Sequence, residues 1–240
     1  MKSEIPYSKV SYFYNYLMRN IDYESWAEYI GLIFDDLNLP AENILEIAAG
    51  EGKLASFLSG KFNFPVLSDL SFEMLKRSPG GFPKVVCDMR KLPFKKNFDF
   101  IYSTFDSVNY LTTEKDVSDF FFQIKEILPM NGYFTFDVSL EMNSLVFEED
   151  LNRADIFEGI KFRQISKYYE KKRVHINEFI IEFPDGKIFR EVHEQKIYPF
   201  QKYFELLENC GMIVTGCYEA LSFIDANENS ERAQFIVRRG

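Results

Sequence analysis

The feature that most constrains this chain is the alternation of short apolar segments with helical segments between residues 43 and 138. The apolar segments have strand length, and glycine-containing turns or helical periodicity separate them. Strands and helices that alternate at this spacing form a parallel sheet with helices on both faces. Strands are predicted at 43–48, 64–68, 84–87, 98–103 and 133–138. Helices are predicted at 53–59 and 113–128, and a further helix is predicted to begin at residue 71.

The pattern changes after about residue 150, where apolar and polar residues alternate at period two from Lys161 to Tyr198. Pro184-Asp185-Gly186 divides this stretch and suits a hairpin with a bulge. If Phe183 pairs with Lys187, His193 lies opposite Asn177 and His175 opposite Gln195. A helix at 200–210 and two strands at 212–218 and 233–237 follow, and these strands are predicted to close one sheet edge as an antiparallel pair. The predicted fold is α/β, with a Rossmann-like, mostly parallel seven-stranded sheet and an antiparallel β insertion before the last helix.

Composition excludes several classes of protein. With 240 residues, 46% hydrophobic and 27% charged, the chain has the composition of a soluble globular protein. It has neither a run of about 18 apolar residues nor an apolar signal core at its start, so no membrane association and a cytoplasmic location are predicted. A net charge of −9 disfavours nucleic acid as a partner. Three cysteines without a C-x-x-C pair indicate neither disulfides nor a metal site.

An acidic strand end followed by two glycines is the strongest local signal. It spans residues 46–52, Glu-Ile-Ala-Ala-Gly-Glu-Gly. Two glycines let the backbone approach a ligand closely, and ligands of open α/β sheets bind beyond the carboxyl ends of the strands. The glycines match the dinucleotide fingerprint only in its looser form, with Ala55 last, and Glu46 would repel a pyrophosphate but attract an ammonium or sulfonium group. A tight turn without a ligand is the alternative interpretation.

Acidic residues also end the next two predicted strands. Asp69 follows Gly52 by seventeen residues and suits the two hydroxyls of a ribose. Asp88 can accept a hydrogen bond from an exocyclic amine such as adenine N6, and the Met89 backbone N–H can meet a ring nitrogen. The alternatives are a polar helix start for Asp69 and a solvated loop carboxylate for Asp88.

In order and spacing, four segments together resemble the class I S-adenosylmethionine-dependent methyltransferases. They are 46–52, 69–75 (Asp-Leu-Ser-Phe-Glu-Met-Leu), 88–94 (Asp-Met-Arg-Lys-Leu-Pro-Phe) and 98–101 (Phe-Asp-Phe-Ile). The resemblance extends from about Tyr14 to the end of the chain. Residues 105–111 and the antiparallel insertion are similar to small-molecule members, including N-methyltransferases of amino sugars and glycine-type amines. The resemblance implies S-adenosylmethionine as the cofactor.

The resemblance implies roles for the matching residues. Glu46 and the Gly50 backbone would hold the methionine amino group, Phe105 would border the sulfur, and Tyr14 and Trp26 would belong to an N-terminal lid. Packing between two helices is the alternative for Trp26. The predicted cofactor-binding set is Tyr14, Trp26, Glu46, Ala48, Gly50, Gly52, Asp69, Leu70, Asp88, Met89 and Phe105.

The turn departs from the family pattern, which is often acidic-x-Gly-Cys-Gly-Thr-Gly. Here it carries Ala48, Ala49 and Glu51, and the lid carries Tyr14-Asn15 in place of Tyr-Asp. Glu51 adds a second negative charge near the cofactor. That charge either favours a cationic substrate or marks a site without turnover.

The insertion is the predicted source of substrate choice. His193 is the predicted catalytic base, since imidazole titrates near neutrality; a strand histidine that faces solvent is the alternative. Asn109, Glu191 and Tyr198 are the predicted acceptor-binding residues. No catalytic metal is predicted.

The predicted activity is methyl transfer from S-adenosylmethionine to a small molecule, with an amine nitrogen favoured because the sequence offers few bases. The alternatives are an O-methyltransferase, a non-catalytic cofactor-binding protein, a nicotinamide-dependent oxidoreductase, and an RNA or protein methylase. Glu46 and Asp88-Met89 disfavour the oxidoreductase. Acidity and the absence of an Asn-Pro-Pro-Tyr or Asp-Pro-Pro-Tyr signature at 103–106 disfavour the RNA or protein methylase.

The predicted organisation is a single methyltransferase domain over 1–240, acting as a monomer or homodimer. Its parts are an N-terminal helical lid at 1–40, a cofactor-binding core at 41–145, the β insertion at 146–200 and the C-terminal part of the core at 201–240.

Overall fold

The computed structural model describes residues 3–40, 42–62, 64–95 and 97–240. Twelve strands are found in these ranges: β1 Ser3–Glu4, β2 Ile44–Ile47, β3 Val66–Asp69, β4 Lys84–Val86, β5 Phe100–Ser103, β6 Tyr133–Ser139, β7 Arg153–Phe157, β8 Ile160–Tyr169, β9 Val174–Glu182, β10 Ile188–Lys196, β11 Met212–Glu219 and β12 Arg232–Arg239. The α-helices are α1 Tyr14–Leu17, α2 Tyr23–Asp36, α3 Lys53–Leu58, α4 Phe72–Arg77, α5 Glu114–Ile127, α6 Glu141–Phe147 and α7 Phe200–Asn209. Short 3-10 helices occur at Val10–Tyr12, Ser107–Tyr110 and Glu170–Lys172.

The main sheet has seven strands in the order β11-β12-β6-β5-β2-β3-β4. Strands β2 to β6 pair in parallel, whereas β12 is antiparallel to both β6 and β11. This confirms the predicted mixed sheet and its antiparallel edge. Because the chain runs outward from β2 to β4 and then returns to place β5 on the other side of β2, the order reverses between β2 and β5. Ligands bind at such a reversal in open α/β sheets.

Helices cover both faces of the main sheet, as predicted. On one face, α5 and α7 pack on phenylalanines of β6 and β12, including Phe136 and Phe235. On the other face, α2 and α3 pack on Phe100 and Tyr102 of β5. Side chains cap the N-termini of α2 and α4, because Asp22 accepts from the Ser25 N–H and Ser71 from the Met74 N–H. None of the helices in the described ranges has the length and apolar character to cross a bilayer.

The second sheet has five strands in the order β1-β10-β9-β8-β7. The hairpin register is the predicted one: Phe183 donates to the Lys187 carbonyl, His193 pairs with Asn177, and Gln195 pairs with His175. Strands β1 and β7 and helix α6 have no counterpart in the prediction. Strand β1 is only two residues long, so it is too short to show a periodic pattern in the sequence. It pairs in parallel with β10, which lies near the other end of the chain.

Candidate active site

A cavity of about 300 Å³ opens at the carboxyl ends of β2, β3, β4 and β5, where the strand order reverses. The loops after these four strands form its floor. Residues 5–17, here called the N-terminal segment, contribute Pro6, Tyr7, Tyr14 and Asn15 to its wall. Nine of the predicted cofactor residues line it: Tyr14, Glu46, Ala48, Gly50, Asp69, Leu70, Asp88, Met89 and Phe105.

The turn after β2 needs left-handed backbone. Ala48, Gly50 and Gly52 have φ of 54°, 56° and 64°. A Cβ on Gly52 would lie 2.5 Å from Leu67 Cδ1, so only glycine fits there. Gly52 is the residue before α3 and does not line the cavity, and its role in the structure is to close the turn.

Glu46 brings a buried carboxyl group to the cavity. Its Oε2 accepts from the Tyr102 hydroxyl at 3.1 Å. Burial raises the pKa of Glu46 to about 8, with a smaller contribution from the nearby Asp69 charge. A cation beside this group would stabilise its charged form.

Asp69 fixes the neighbouring loops. Its Oδ2 accepts from the Gly50 N–H at 2.8 Å and its Oδ1 from the Ser71 N–H at 2.7 Å. Burial raises the pKa of Asp69 despite these bonds. The Asp69 carboxylate therefore links the turns after β2 and β3 at the cavity wall.

Asp88 is held by Arg90, whose guanidinium also contacts Asp116 at 2.9 Å. These hydrogen bonds lower the pKa of Asp88. Asp88, Met89, Arg90 and Asp116 all line one end of the cavity.

Trp26 is buried and does not line the cavity. Its ring packs behind Phe105, at a centroid distance of 4.9 Å. Phe105 itself lies in the wall with φ of 60°. The structure therefore places Trp26 as a support for Phe105 rather than as part of the cavity surface.

The cavity wall is acidic. Among the described residues it carries two cationic side chains, Lys53 and Arg90, and five carboxyl side chains: Glu46, Glu51, Asp69, Asp88 and Asp116. Such a wall favours ligands that carry positive charge.

Comparison with known proteins agrees with this architecture. Residues 44–132 match the family model described as "Methyltransferase domain". The chain is 29% identical over 238 residues to YqeM of Bacillus subtilis strain 168, a methyltransferase by name, with 94% of each chain covered. These matches support the predicted class I S-adenosylmethionine-dependent methyltransferase.

Two solved structures share the fold of this methyltransferase. One is an S-adenosylmethionine-dependent methyltransferase from Clostridium acetobutylicum ATCC 824, with a TM-score of 0.81, 22% identity, and 98% of this chain and 99% of that chain covered. The other is the sugar N-methyltransferase KedS8 from Streptoalloteichus sp. ATCC 53650, with a TM-score of 0.75, 17% identity, and 95% and 92% covered.

Two of the predicted acceptor-binding residues of the methyltransferase lie away from the cavity wall. Asn109 is fully buried, and its amide nitrogen donates to the carbonyls of Ser139 and Lys196. The Tyr198 hydroxyl donates to the Leu111 carbonyl at 3.0 Å. Both side chains join the 3-10 helix after β5 to neighbouring elements.

His193 and Glu191 also lie behind the wall. Both side chains are buried, and His193 Nε2 lies 2.8 Å from Glu191 Oε1. His193 Nδ1 lies 2.9 Å from the hydroxyl of Tyr110, which does line the cavity. The structure therefore brings the predicted base to the cavity only through Tyr110.

Three tyrosines of the wall, Tyr7, Tyr23 and Tyr110, were not singled out from the sequence. Tyr110 falls within the stretch 105–111 that resembles small-molecule methyltransferases, and Tyr23 follows the Asp22 cap. Tyr7 precedes every predicted element, so no local pattern marks it.

Glu51 is buried and tied to the N-terminal segment, since Asn15 Nδ2 donates to its Oε2. Arg77 lies 4.0 Å from Glu51 Oε1 and donates from Nε to the Ser11 carbonyl at 3.0 Å. Burial raises the pKa of Glu51. These contacts dock the segment against the cofactor-binding loops.

Proposed function

We propose that this enzyme transfers a methyl group from S-adenosylmethionine to the nitrogen of a small amine. The observation that carries the amine assignment is the part of the wall without a proposed cofactor contact, where Tyr7, Tyr23, Tyr110 and the Glu51 carboxyl group line the cavity. Carboxylates and aromatic faces both attract cations. A protonated amine is a cationic acceptor, and the KedS8 fold relative is named for transfer to a sugar nitrogen.

The residues of the wall fit the cofactor. Glu46, whose carboxyl is buried with a raised pKa, suits the methionine ammonium group. Asp69 suits the ribose hydroxyls, with Leu70 beside the adenine, while Asp88 and the Met89 backbone suit the adenine edge. When bound, S-adenosylmethionine supplies a methyl group activated by its sulfonium sulfur.

The remaining residues align the partners and exclude water. Phe105, backed by Trp26, forms an apolar wall beside the reacting groups. The N-terminal segment, within the lid assigned to residues 1–40, would close the opening through Tyr7 and Tyr14. The insertion at 146–200 would select the acceptor indirectly, because its Glu191 holds the backbone of the N-terminal segment, whose Tyr7 and Tyr14 line the cavity.

Calorimetric titration tests the cofactor assignment. S-adenosylmethionine and S-adenosylhomocysteine are expected to bind, NAD is not, and Asp69→Ala should abolish binding. Asp185→Ala, at the exposed hairpin tip, is the matched control and should leave binding unchanged. If neither sulfur nucleoside binds the wild type, the proposed function is wrong.

Mass spectrometry on a panel of amines and alcohols tests the acceptor class. Gain of a methyl group by amines alone supports the proposal. Gain by hydroxyls alone identifies an O-methyltransferase, and tight cofactor binding without transfer to any acceptor identifies a non-catalytic binding protein.

A further inference from the structure

A continuous line of hydrogen bonds leads from the cavity into the second sheet. The hydroxyls of Tyr7 and Tyr110 lie 2.7 Å apart at the cavity wall. Tyr110 Oη lies 2.9 Å from His193 Nδ1, and His193 Nε2 lies 2.8 Å from Glu191 Oε1. The Tyr110 hydroxyl is the one that bonds His193 Nδ1, which makes Tyr110 the hydrogen-bonded connection between cavity and imidazole.

The far end of this line is a carboxylate that the N-terminal segment surrounds with donors. Glu191 is fully buried, and its Oε2 accepts from the backbone N–H groups of Lys9 at 2.8 Å and Val10 at 3.1 Å. Its Oε1 accepts from the Tyr7 N–H as well as facing His193. Three backbone N–H groups therefore donate to this one carboxyl group, whose oxygens act as acceptors.

This arrangement fixes the direction of the hydrogen bonds. Because the Glu191 carboxylate can only accept, His193 Nε2 carries a proton and donates it. In the neutral imidazole, Nδ1 then has a free lone pair and accepts from the Tyr110 hydroxyl. The Tyr110 oxygen then accepts from the Tyr7 hydroxyl, and its second lone pair can accept from a donor in the cavity.

We propose that Tyr110 receives a proton from the bound amine and passes its own hydroxyl proton to His193, with Glu191 stabilising the imidazolium that forms. This inference rests on the proposed function. The acceptor ammonium loses one N–H proton to Tyr110 Oη as the Tyr110 O–H proton moves to His193 Nδ1. The amine nitrogen is then left with the lone pair that it needs to attack the methyl carbon. After product leaves, His193 returns a proton to Tyr110, and the Tyr110 hydroxyl releases one to the solvent that refills the cavity.

The geometry assigns different roles to the three residues. Tyr110 is the catalytic residue because it lines the cavity, while His193 and Glu191 are positioning residues that act through it. His193 is enclosed by the rings of Tyr7 at 4.6 Å and Phe179 at 5.2 Å. Burial raises the pKa of Tyr110, so the phenol relays a proton instead of resting as a phenolate.

The charged and titratable groups around His193 come from each neighbouring element. Glu191 lies on its own strand, Tyr110 on the 3-10 helix and Tyr7 on the N-terminal segment. Burial raises the pKa of both tyrosines, and the Asp106 carboxyl group after β5 adds a smaller contribution. Arg232 lies 3.2 Å from Asp106 and also pairs with Asp137. The relay therefore has one carboxyl group in contact with the imidazole and a second, which shares Arg232 with Asp137, farther away.

The test compares Tyr110→Phe and His193→Gln with controls from the same region. Tyr168→Phe removes a buried phenol that donates to Glu141, and His175→Gln removes the other histidine of the second sheet, which contacts Ser144 and Ser166. Initial rates are measured with an amine that the wild type methylates, from pH 6.5 to pH 9. S-adenosylhomocysteine affinity is measured for every variant by calorimetry.

Tyr110→Phe is expected to lower kcat at pH 7 by about 100-fold or more, the range typical of a lost acid–base group. His193→Gln should show a deficit of the same kind, and both deficits should shrink as the pH rises, because solvent then deprotonates the amine. Affinity for S-adenosylhomocysteine should stay within about threefold of wild type, and both controls should keep wild-type rates. Retained affinity also shows that the variants are folded.

Two results would overturn the relay. One is a Tyr110→Phe rate close to wild type with an unchanged pH profile. The other is a His193→Gln deficit that is constant across the pH range, which indicates a purely structural role. A wild-type protein that methylates no amine would instead refute the proposed function, so the two failures are distinguishable.

Discussion

At the scale of single residues, the burial of Glu46 determines whether its carboxyl group is charged before a ligand binds. Its pKa of about 8 in the free enzyme means that the carboxyl is mostly protonated at pH 7. A methionine ammonium group beside it would lower that pKa, because an opposite charge favours the ionised form. Binding of S-adenosylmethionine at pH 7 is therefore expected to release about one proton per site.

Calorimetry in buffers of different ionisation enthalpy measures that proton. The apparent binding enthalpy should vary with the buffer for the wild type, and this dependence should be lost in Glu46→Gln. An unchanged dependence in the variant would assign the proton to another group and contradict the prediction.

Gly52 allows a second prediction at this scale. Gly52→Ala places a Cβ 2.5 Å from Leu67 Cδ1 at φ of 64°, and we expect the free energy of unfolding to fall by about 1–3 kcal/mol. Gly60→Ala is the matched control, because nothing lies within 4 Å of a Cβ there, and a change within about 0.5 kcal/mol is expected. Urea denaturation of both variants makes the comparison, and equal stabilities would show that the turn relaxes without cost.

At the scale of elements, the N-terminal segment is held by contacts on two sides of the cavity. Glu191 binds its backbone on one side, and Glu51 and Arg77 bind Asn15 and Ser11 on the other. A ligand in the cavity should strengthen this closure. With S-adenosylhomocysteine at about 100 times its Kd, amide hydrogen exchange of the segment should slow by up to about 100-fold.

Mass spectrometry of the peptides after exchange checks this, with the α7 peptides as an internal reference. Helix α7 packs in the main core and contributes no residue to the cavity wall, so its exchange should change less. Equal protection of both regions would indicate global stabilisation and would contradict a closing segment.

The same elements show what the sequence can predict. Strands β2, β3 and β5 were found because they are apolar and lie between clear turns, and the acidic residues near the ends of β2 and β3, Glu46 and Asp69, were located with them. The register of β9 and β10 followed from one hairpin turn. The part of the cavity wall that Tyr7 and Tyr110 form could not be predicted, because these residues are 103 positions apart in the sequence. Their contact also depends on β1, which is only two residues long.

At the scale of the whole molecule, buried carboxyl groups set the pH dependence of stability. Glu46, Glu51 and Asp69 have pKa values raised by burial, so the folded state holds protons that the unfolded chain has released. Stability from such a group is present below its ordinary pKa of about 4 and is lost as the pH rises through its raised pKa, which is about 8 for Glu46. Asp88 and Asp116 have lowered pKa values and lose their contribution in acid.

The Tm of the free enzyme is therefore expected to be highest in mildly acidic buffer and to fall between pH 6 and pH 8.5. Glu46→Gln should reduce that fall, because it removes the group with the raised pKa of about 8. Differential scanning calorimetry at constant ionic strength measures the Tm of the wild type and of the variant across this pH range. A wild-type Tm that rises from pH 6 to pH 8.5 would contradict this assignment.

The pairing of β1 with β10 also has a consequence for the order of folding. Ser3 and Glu4 pair with Arg190 and Glu191, so β1 can form only after β10 has been synthesised, nearly 190 residues later. Contacts of such sequence separation form slowly, because a long loop must close before they are made. The main sheet can assemble while the N-terminal residues are still free, and the cavity acquires its last wall only when β10 is in place. A nascent or refolding chain therefore has its cofactor-binding loops before it has the closed site in which to use them.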